Sequence, residues 1–116
     1  MSHPDDSGCV AYLKALSDET RWEIMRLLAN SAAPLNLGEI ACSLGLSAYN
    51  ASRHVRVLKE AGLILVIRDG RFKRISVAPE WRKDWQNAAS PGTLDLGCCH
   101  FDFSKAAGSG KPSPRP

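Results

Sequence analysis

The segment GLSAYNASRHVRVLKEAGL, residues 45–63, decides the fold. Gly45 can adopt a positive φ, and Ser47 can cap a helix that follows it. Only two residues separate this cap from Leu44, where an earlier apolar pattern ends, so the chain must turn tightly between two helices. The segment therefore predicts a helix-turn-helix whose second helix ends at Gly62.

The second of these helices has an apolar face and a polar face. Ala51, Val55 and Leu58 share the apolar side, which predicts that they lie in the core. The polar side carries residue types that suit DNA, because arginine pairs with guanine, asparagine with adenine, and serine with phosphate or base. The residues on this polar side are Tyr49, Asn50, Ser52, Arg53 and Arg56.

A basic β-hairpin is predicted directly after this helix. The runs LILVIR and RFKRISV are apolar and β-branched, and Asp69-Gly70 between them is a two-residue turn of the kind that hairpins prefer. We expect Arg68, Arg71 and Lys73 to protrude at its tip beside the preceding helix. A wing in that position contacts the phosphate backbone or the minor groove.

Positive charge is concentrated in this part of the chain. Residues 47–77 contain seven basic and two acidic residues, a local charge of +5, whereas the whole chain carries +3 and the remainder therefore −2. Such a cluster is typical of a polyanion-binding face. Together with the helix-turn-helix and the hairpin, it predicts binding to double-stranded DNA.

Three further helices precede the turn, which makes the fold class mainly α with a β-hairpin (α+β). The first has Val10, Leu13 and Leu16 at helical spacing, the second is capped by Ser17 or Asp18, and the third begins at Asn36 with Glu39 three residues on. A chain of 116 residues is one domain. We predict a flexible N-terminus at 1–8, a winged helix-turn-helix and dimerisation domain with a C-terminal sensor segment at 9–103, and a disordered tail at 104–116.

Composition argues against several other classes of protein. The sequence has no run of about 18 apolar residues and no basic or apolar leader, so we expect a cytoplasmic protein without a membrane span. It has no phosphate loop, no paired acid and base, and no nucleophile with an evident base, so we expect no enzyme and no cofactor. In that compartment the four cysteines are expected to be thiols or ligands rather than structural disulfides.

Three stretches of the chain resemble the ArsR/SmtB family of winged-helix repressors that respond to metals and metalloids. They are LKALSDETRWEIMRLLA, LGEIACSLGLSAYNASRHVRVLKEAGLI and RDGRFKRISV. The resemblance covers about residues 10–77. It implies a homodimer on an inverted-repeat operator, with inducer binding weakening the affinity for DNA. The residues that match the family's recognition helix are Ser47, Tyr49, Asn50, Ser52, Arg53 and His54, and residues 68–73 match its wing. For His54 the alternative is a partly packed structural histidine.

Members of that family place sensor sites in different parts of the scaffold, so the resemblance alone does not locate one here. A version that senses arsenic has a Cys-x-Cys pair on the third helix, where this chain has Asn36 and Gly38. A version that senses zinc has carboxylate and histidine ligands on the last helix, where this chain has Glu80 and Asp84 but no histidine. Both of these sites are therefore predicted to be absent.

The remaining candidate is GCCH, residues 97–100. Trivalent arsenic or antimony takes up to three thiolates, and the adjacent Cys98 and Cys99 on a flexible loop can supply two of them. Cys9 is the preferred third ligand, since the first and last helices pack together at the dimer interface in the similar family. Cys42, for which burial as a small apolar residue is favoured, and His100 are the alternatives.

The sequence thus predicts a metalloid-responsive repressor that arsenite or antimonite releases from DNA. The alternative is a winged-helix repressor that senses thiol redox state, sulfur species or another thiophilic metal. The operator, the regulated genes, the choice of inducer and the distribution of the ligands within or between subunits stay open.

Overall fold

A computed structural model describes residues 6–81, 93–96 and 99–103. It confirms the winged helix-turn-helix, with four helices followed by an antiparallel hairpin. A short 3₁₀ turn at Pro79–Trp81 and a second small hairpin complete the described chain. The elements are α1 Asp6–Leu16, α2 Glu19–Ala29, α3 Leu37–Leu44, α4 Ala48–Glu60, β1 Ile64–Asp69, β2 Phe72–Val77, β3 Thr93–Asp95 and β4 His100–Asp102. Since α1 begins at Asp6, the helix starts three residues before the predicted boundary. No described helix has the length and apolar character needed to cross a membrane.

The helix starts agree with the predicted caps. The Asp18 carboxylate accepts a hydrogen bond from the backbone N–H of Arg21 at 3.1 Å, which begins α2. Asn36 and Glu39 form a reciprocal capping box with distances of 2.8 and 2.9 Å, which begins α3. Each cap satisfies backbone donors that the first turn of a helix leaves without a partner.

The core lies where α2, α3 and α4 meet the first hairpin. Ile24, Met25 and Leu28 of α2 are buried at its centre, and Leu27 is partly buried against them. The apolar face of α4 is confirmed, because Ala51, Val55 and Leu58 are all buried. The polar face of α4 is thereby left to solvent.

The turn of the first hairpin differs by one residue from the prediction. Asp69 pairs with Phe72, so the two turn residues are Gly70 and Arg71. Gly70 has a φ of 66°, and a glycine with positive φ at the first turn position is what a type II′ turn requires. Asp69 instead becomes the last residue of β1.

Backbone hydrogen bonds attach this hairpin to the helices. Leu35, in the connection between α2 and α3, exchanges two hydrogen bonds with Ile75 at 2.8 and 2.9 Å. Ala78 donates to the carbonyl of Leu63, and the Trp81 indole Nε1 donates to the carbonyl of Gly62 at 2.8 Å. These bonds hold the base of the wing beside the end of α4.

The second hairpin, β3 and β4, packs against α2. Leu94 and Phe103 are fully buried, and the ring of Trp22 lies 4.7 Å from that of Phe103 and 5.4 Å from that of Phe101, centroid to centroid. The side chain of Asn30 donates a hydrogen bond to the carbonyl of Phe103 at 2.6 Å. Trp22 of α2 therefore anchors the C-terminal segment.

Candidate DNA interface and thiol site

The turn between α3 and α4 fixes how the two helices cross. Gly45 has a φ of 68° in the left-handed region, and the N–H of Leu46 donates to the carbonyl of Ala41 at 2.9 Å. The Ser47 hydroxyl accepts a hydrogen bond from the N–H of Asn50 at 3.1 Å and so caps α4. Ser47 is exposed and its hydroxyl proton is not used by this cap, so it can still donate to a phosphate.

The predicted DNA-contacting residues at the start of α4 lie on the solvent side. Tyr49 is 73% exposed, and Asn50, Ser52, Arg53 and Arg56 are also exposed. The Arg53 guanidinium lies 5.8 Å from the centroid of the Tyr49 ring, one helical turn away. That cation–π contact restricts the conformations of a side chain that can form two hydrogen bonds with guanine.

His54 is placed differently from the other candidates on α4. Its side chain is 20% exposed, and its Nδ1 lies 3.3 Å from Arg21 Nη1 and 3.8 Å from Asp18 Oδ2, at the start of α2. Burial opposes ionisation of Asp18, but the backbone N–H of Arg21 and the Arg21 charge lower the pKa of that carboxyl. The structural alternative given for His54 thus has a defined set of partners, and its contact with DNA stays a prediction.

The wing presents basic residues at its tip and on the face toward α4. Arg68, Arg71 and Lys73 are exposed and form no ion pair with any residue in the described ranges. Arg74, on the opposite face, instead donates to the Asp69 carboxylate at 2.6 Å. Three of the four wing cations are therefore available to a polyanion.

A groove of about 480 Å³ separates α4 from the wing. Its lining contains four cations and no acidic residue, and its floor is apolar. The lining residues are Leu37, Tyr49, Ser52, Arg53, Val55, Arg56, Lys59, Val66, Lys73 and Ile75. A positive groove between a recognition helix and a wing has the geometry and charge to follow a phosphate backbone.

Lys59 lines this groove although it was not among the predicted contacts. It continues the three-residue spacing of Arg53 and Arg56 along α4, and that spacing was visible in the sequence. Arg56 lies 4.0 Å from Glu60, an exposed pair that is weak in water. Lys59 thus extends the row of basic residues formed by Arg53 and Arg56 toward the C-terminal end of α4.

The described cysteines lie on α1, on α3 and between β3 and β4. Cys9, in the first half of α1, is 8% exposed and is held in a disulfide. The expectation that all four cysteines are thiols or ligands is therefore wrong for Cys9 in this structure. Burial of its sulfur within bonding distance of a second cysteine is the physical reason.

Cys99 lies in the turn between β3 and β4. It is partly buried and packs on the core, and its carbonyl accepts a hydrogen bond from the N–H of Leu96 at 2.9 Å. His100 is the first residue of β4. Cys98, the other residue of the predicted pair, lies outside the described residues. Cys99, which was expected on a flexible loop, is therefore attached to the core.

Cys42 is an exposed free thiol, so the expectation that it would be buried is wrong. Ile40 and Ala41 take the buried positions of α3, and the next residue of the helix turns toward solvent. Within residues 6–81, 93–96 and 99–103, no three histidine, cysteine or acidic side chains form a group able to hold a metal ion.

Comparison with known proteins agrees with this architecture. A family model described as a helix-turn-helix domain matches residues 16–67. The chain is 36% identical over 95 residues to YceK, an HTH-type transcriptional regulator of Bacillus subtilis strain 168, covering 82% of this chain and 91% of YceK. It is also 33% identical over 82 residues to the arsenic resistance transcriptional regulator ArsR1 of Pseudomonas putida KT2440, covering 71% of this chain and 62% of that one. The chain belongs to the ArsR family of winged-helix transcriptional regulators.

A solved structure of an ArsR-type protein has the same fold. The homodimeric winged helix-turn-helix DNA-binding domain Mb0332 of Mycobacterium bovis, described as a possible ArsR-family regulator, superposes with a TM-score of 0.59. The identity is 26%, and the match covers 69% of this chain and 75% of that one. ArsR-family membership makes this chain a DNA-binding transcriptional regulator, a role that requires no catalysis.

Proposed function

We propose that this ArsR-family regulator is a homodimeric repressor that leaves an inverted-repeat operator when arsenite or antimonite binds the thiolates of Cys9, Cys98 and Cys99. The observation that carries the proposal is the disulfide at Cys9, because it means that the buried thiol of α1 lies within bonding distance of another cysteine.

The DNA-binding part of the proposal is supported by the α4 surface and the groove. On each subunit the groove has four cations, Arg53, Arg56, Lys59 and Lys73, for the phosphates, and the exposed start of α4 is free to contact base edges. A twofold-symmetric dimer would place two such helices on an inverted repeat.

Dimerisation is supported by the exposed side of α1. Val10 and Leu13 are 55% and 45% exposed, and their three-residue spacing puts both on one face of the helix. A second copy of this face would cover them, and the M. bovis relative is a homodimer. Because Cys9 adjoins Val10, the proposed thiol site lies next to the proposed dimer interface.

The thiol site fits the chemistry of a trivalent metalloid. Arsenous acid condenses with three thiols to give three As–S bonds and three molecules of water, so no change of oxidation state is needed. Soft thiolate sulfur is the ligand type that such an ion prefers. Cys9 has to be a thiol for this reaction, so a two-electron reduction of its disulfide by an added thiol or phosphine must precede binding.

Fluorescence anisotropy of the reduced protein on its own promoter DNA tests the proposal. We expect arsenite to weaken binding of the wild type by about 5- to 150-fold and to leave Cys98→Ser/Cys99→Ser and Cys9→Ser bound. Cys42→Ser is the matched control, since that exposed thiol is not part of the site, and it should respond like the wild type. Equal release of wild type and the Cys98→Ser/Cys99→Ser variant would refute the metalloid site.

Thiol oxidation is the second candidate signal, and the same disulfide favours it. If oxidation is the signal, diamide should weaken DNA binding of the wild type, whereas arsenite should not affect DNA binding of the reduced protein. Cys9→Ser should abolish the response to diamide. If arsenite releases the reduced protein and diamide does not release it, redox sensing is excluded as the signal.

A further inference from the structure

Arg21 connects three helices through one side chain. Its Nε donates a hydrogen bond to the carbonyl of Ala15, near the end of α1, at 2.5 Å. Its Nη1 lies 3.3 Å from Nδ1 of His54 on α4. Its own backbone N–H donates to the Asp18 carboxylate that caps α2. A single guanidinium therefore spans from α1 to the recognition helix.

The contact with His54 has a defined direction. A guanidinium has only N–H donors, so a hydrogen bond here requires the tautomer in which His54 Nδ1 accepts and the proton lies on Nε2. The side chain is 20% exposed, and Asp18 Oδ2 lies 3.8 Å from the same Nδ1. The ring is thus held between the start of α2 and its own helix instead of turning to solvent.

α1 also carries the residues that would respond to an inducer. Cys9 lies six residues before Ala15 on the same helix, a distance of about 9 Å along its axis. Because a helix of this length moves as a rigid rod, a displacement at Cys9 shifts the carbonyl of Ala15. Arg21 is bonded to that carbonyl and to His54, which lies one residue after Arg53 on the DNA-facing helix.

We propose that Arg21 is a positioning residue that sets the orientation of α4 relative to α1, and so couples the thiol site to the DNA-binding surface through His54. The coupling part rests on the proposed function, whereas the positioning part concerns the unliganded protein and stands separately. Neither Arg21 nor Asp18 needs to touch DNA for this role.

Three variants separate positioning from folding. Arg21→Lys keeps the charge but has only one nitrogen, which cannot reach both the Ala15 carbonyl and His54. His54→Asn places an amide oxygen near the position of Nδ1, whereas His54→Gln places its amide near Nε2. We expect Arg21→Lys and His54→Gln to weaken operator binding of the reduced protein by at least about fivefold, and His54→Asn to retain most of it.

Operator affinity is measured by anisotropy at several salt concentrations, with thermal unfolding as the control for folding. If Arg21 positions α4, Arg21→Lys loses affinity while the dependence on salt and the unfolding midpoint stay close to wild type. Wild-type affinity in Arg21→Lys and His54→Gln would overturn the proposal. Equal losses in His54→Asn and His54→Gln would also overturn it, since the Nδ1 acceptor would then not matter.

The arsenite titration tests the coupling on the same samples. We expect arsenite to protect the same number of thiols from a thiol reagent in Arg21→Lys as in the wild type. We also expect that arsenite no longer releases Arg21→Lys from DNA. If arsenite weakens DNA binding of Arg21→Lys by the same factor as that of the wild type, the proposed coupling is overturned. If arsenite does not release the wild type, the sensor proposal fails, and the positioning role is decided by the operator affinities without arsenite.

Discussion

Replacing Lys73 by glutamine tests whether the groove between α4 and the wing holds a phosphate backbone. Lys73 lines the groove, while its neighbour Arg74 lies on the other face of β2 and is paired with Asp69. Because successive residues of a strand point to opposite faces, Lys73→Gln and Arg74→Gln remove the same charge from adjacent positions with different surroundings. Arg74→Gln is therefore the matched control.

The magnitude follows from counterion release. Each phosphate neutralised by a cation contributes about 0.9 to the slope of log affinity against log salt, so Lys73→Gln should lower the slope by about 0.9 per subunit and about 1.8 for a dimer. When salt is raised from about 50 to 200 mM, both proteins should lose affinity, and the fold-loss of a dimeric Lys73→Gln variant should consequently be roughly ten times smaller than that of wild type.

Anisotropy titrations of operator DNA at four or more salt concentrations measure this slope. We expect Arg74→Gln to change it by less than half as much as Lys73→Gln, since Arg74 is already neutralised by an adjacent carboxylate. Equal changes in the two variants would show that net charge alone matters and that the groove is not the phosphate site. An unchanged slope in Lys73→Gln would refute its phosphate contact directly.

Three further predictions concern stability. Gly45→Ala should lower the free energy of unfolding in urea by about 1–2 kcal/mol because alanine is strained at a positive φ. A β-carbon there meets no atom within 4 Å, so no clash adds to this cost, and unchanged stability would contradict the strain argument. Trp22→Ala should lower the free energy of unfolding by about 3 kcal/mol through lost packing on Phe103, and it should speed the reaction of Cys99 with a thiol reagent. An unaltered reaction rate would show that Trp22 does not limit access to Cys99. Asp18 has a lowered folded-state pKa, so its stabilisation is present above the ordinary carboxyl pKa of 3.8 and is lost as the pH falls through the folded value. Asp18→Asn should remove that part of the acid sensitivity, which unfolding midpoints at a series of pH values would reveal.

Much of the DNA-binding unit was predictable because its determinants are local. Asp18, Asn36 and Ser47 each cap a helix by accepting from a backbone N–H three residues away, and the buried face of α4 follows from helical periodicity alone. The hairpin turn was misplaced by one residue because Asp-Gly and Gly-Arg turns are locally compatible with the same sequence. The pairing of Leu35 with Ile75 joins residues far apart in the chain, and it holds the strand that fixes the register.

The candidate sites show the same division between local and distant causes. Exposure of Cys42 could not be derived from composition, since the choice between Ala41 and Cys42 as the buried residue depends on how α3 is rotated against its neighbours. Lys59 was identifiable by its spacing, but its place in the groove depends on where the wing lies. The partners of His54 come from α2, and no local pattern around position 54 indicates them.

The sequence by itself determined the helix-turn-helix, the basic hairpin and the concentration of positive charge on them, because capping, periodicity and turn geometry act between residues close in the chain. Only the tertiary structure decided that Trp22 anchors the second hairpin, that Cys9 is buried in a disulfide, and that Arg21 joins α1 to His54. Those contacts depend on the relative placement of whole helices, which is set by the mutual fit of their buried side chains and not by any one segment.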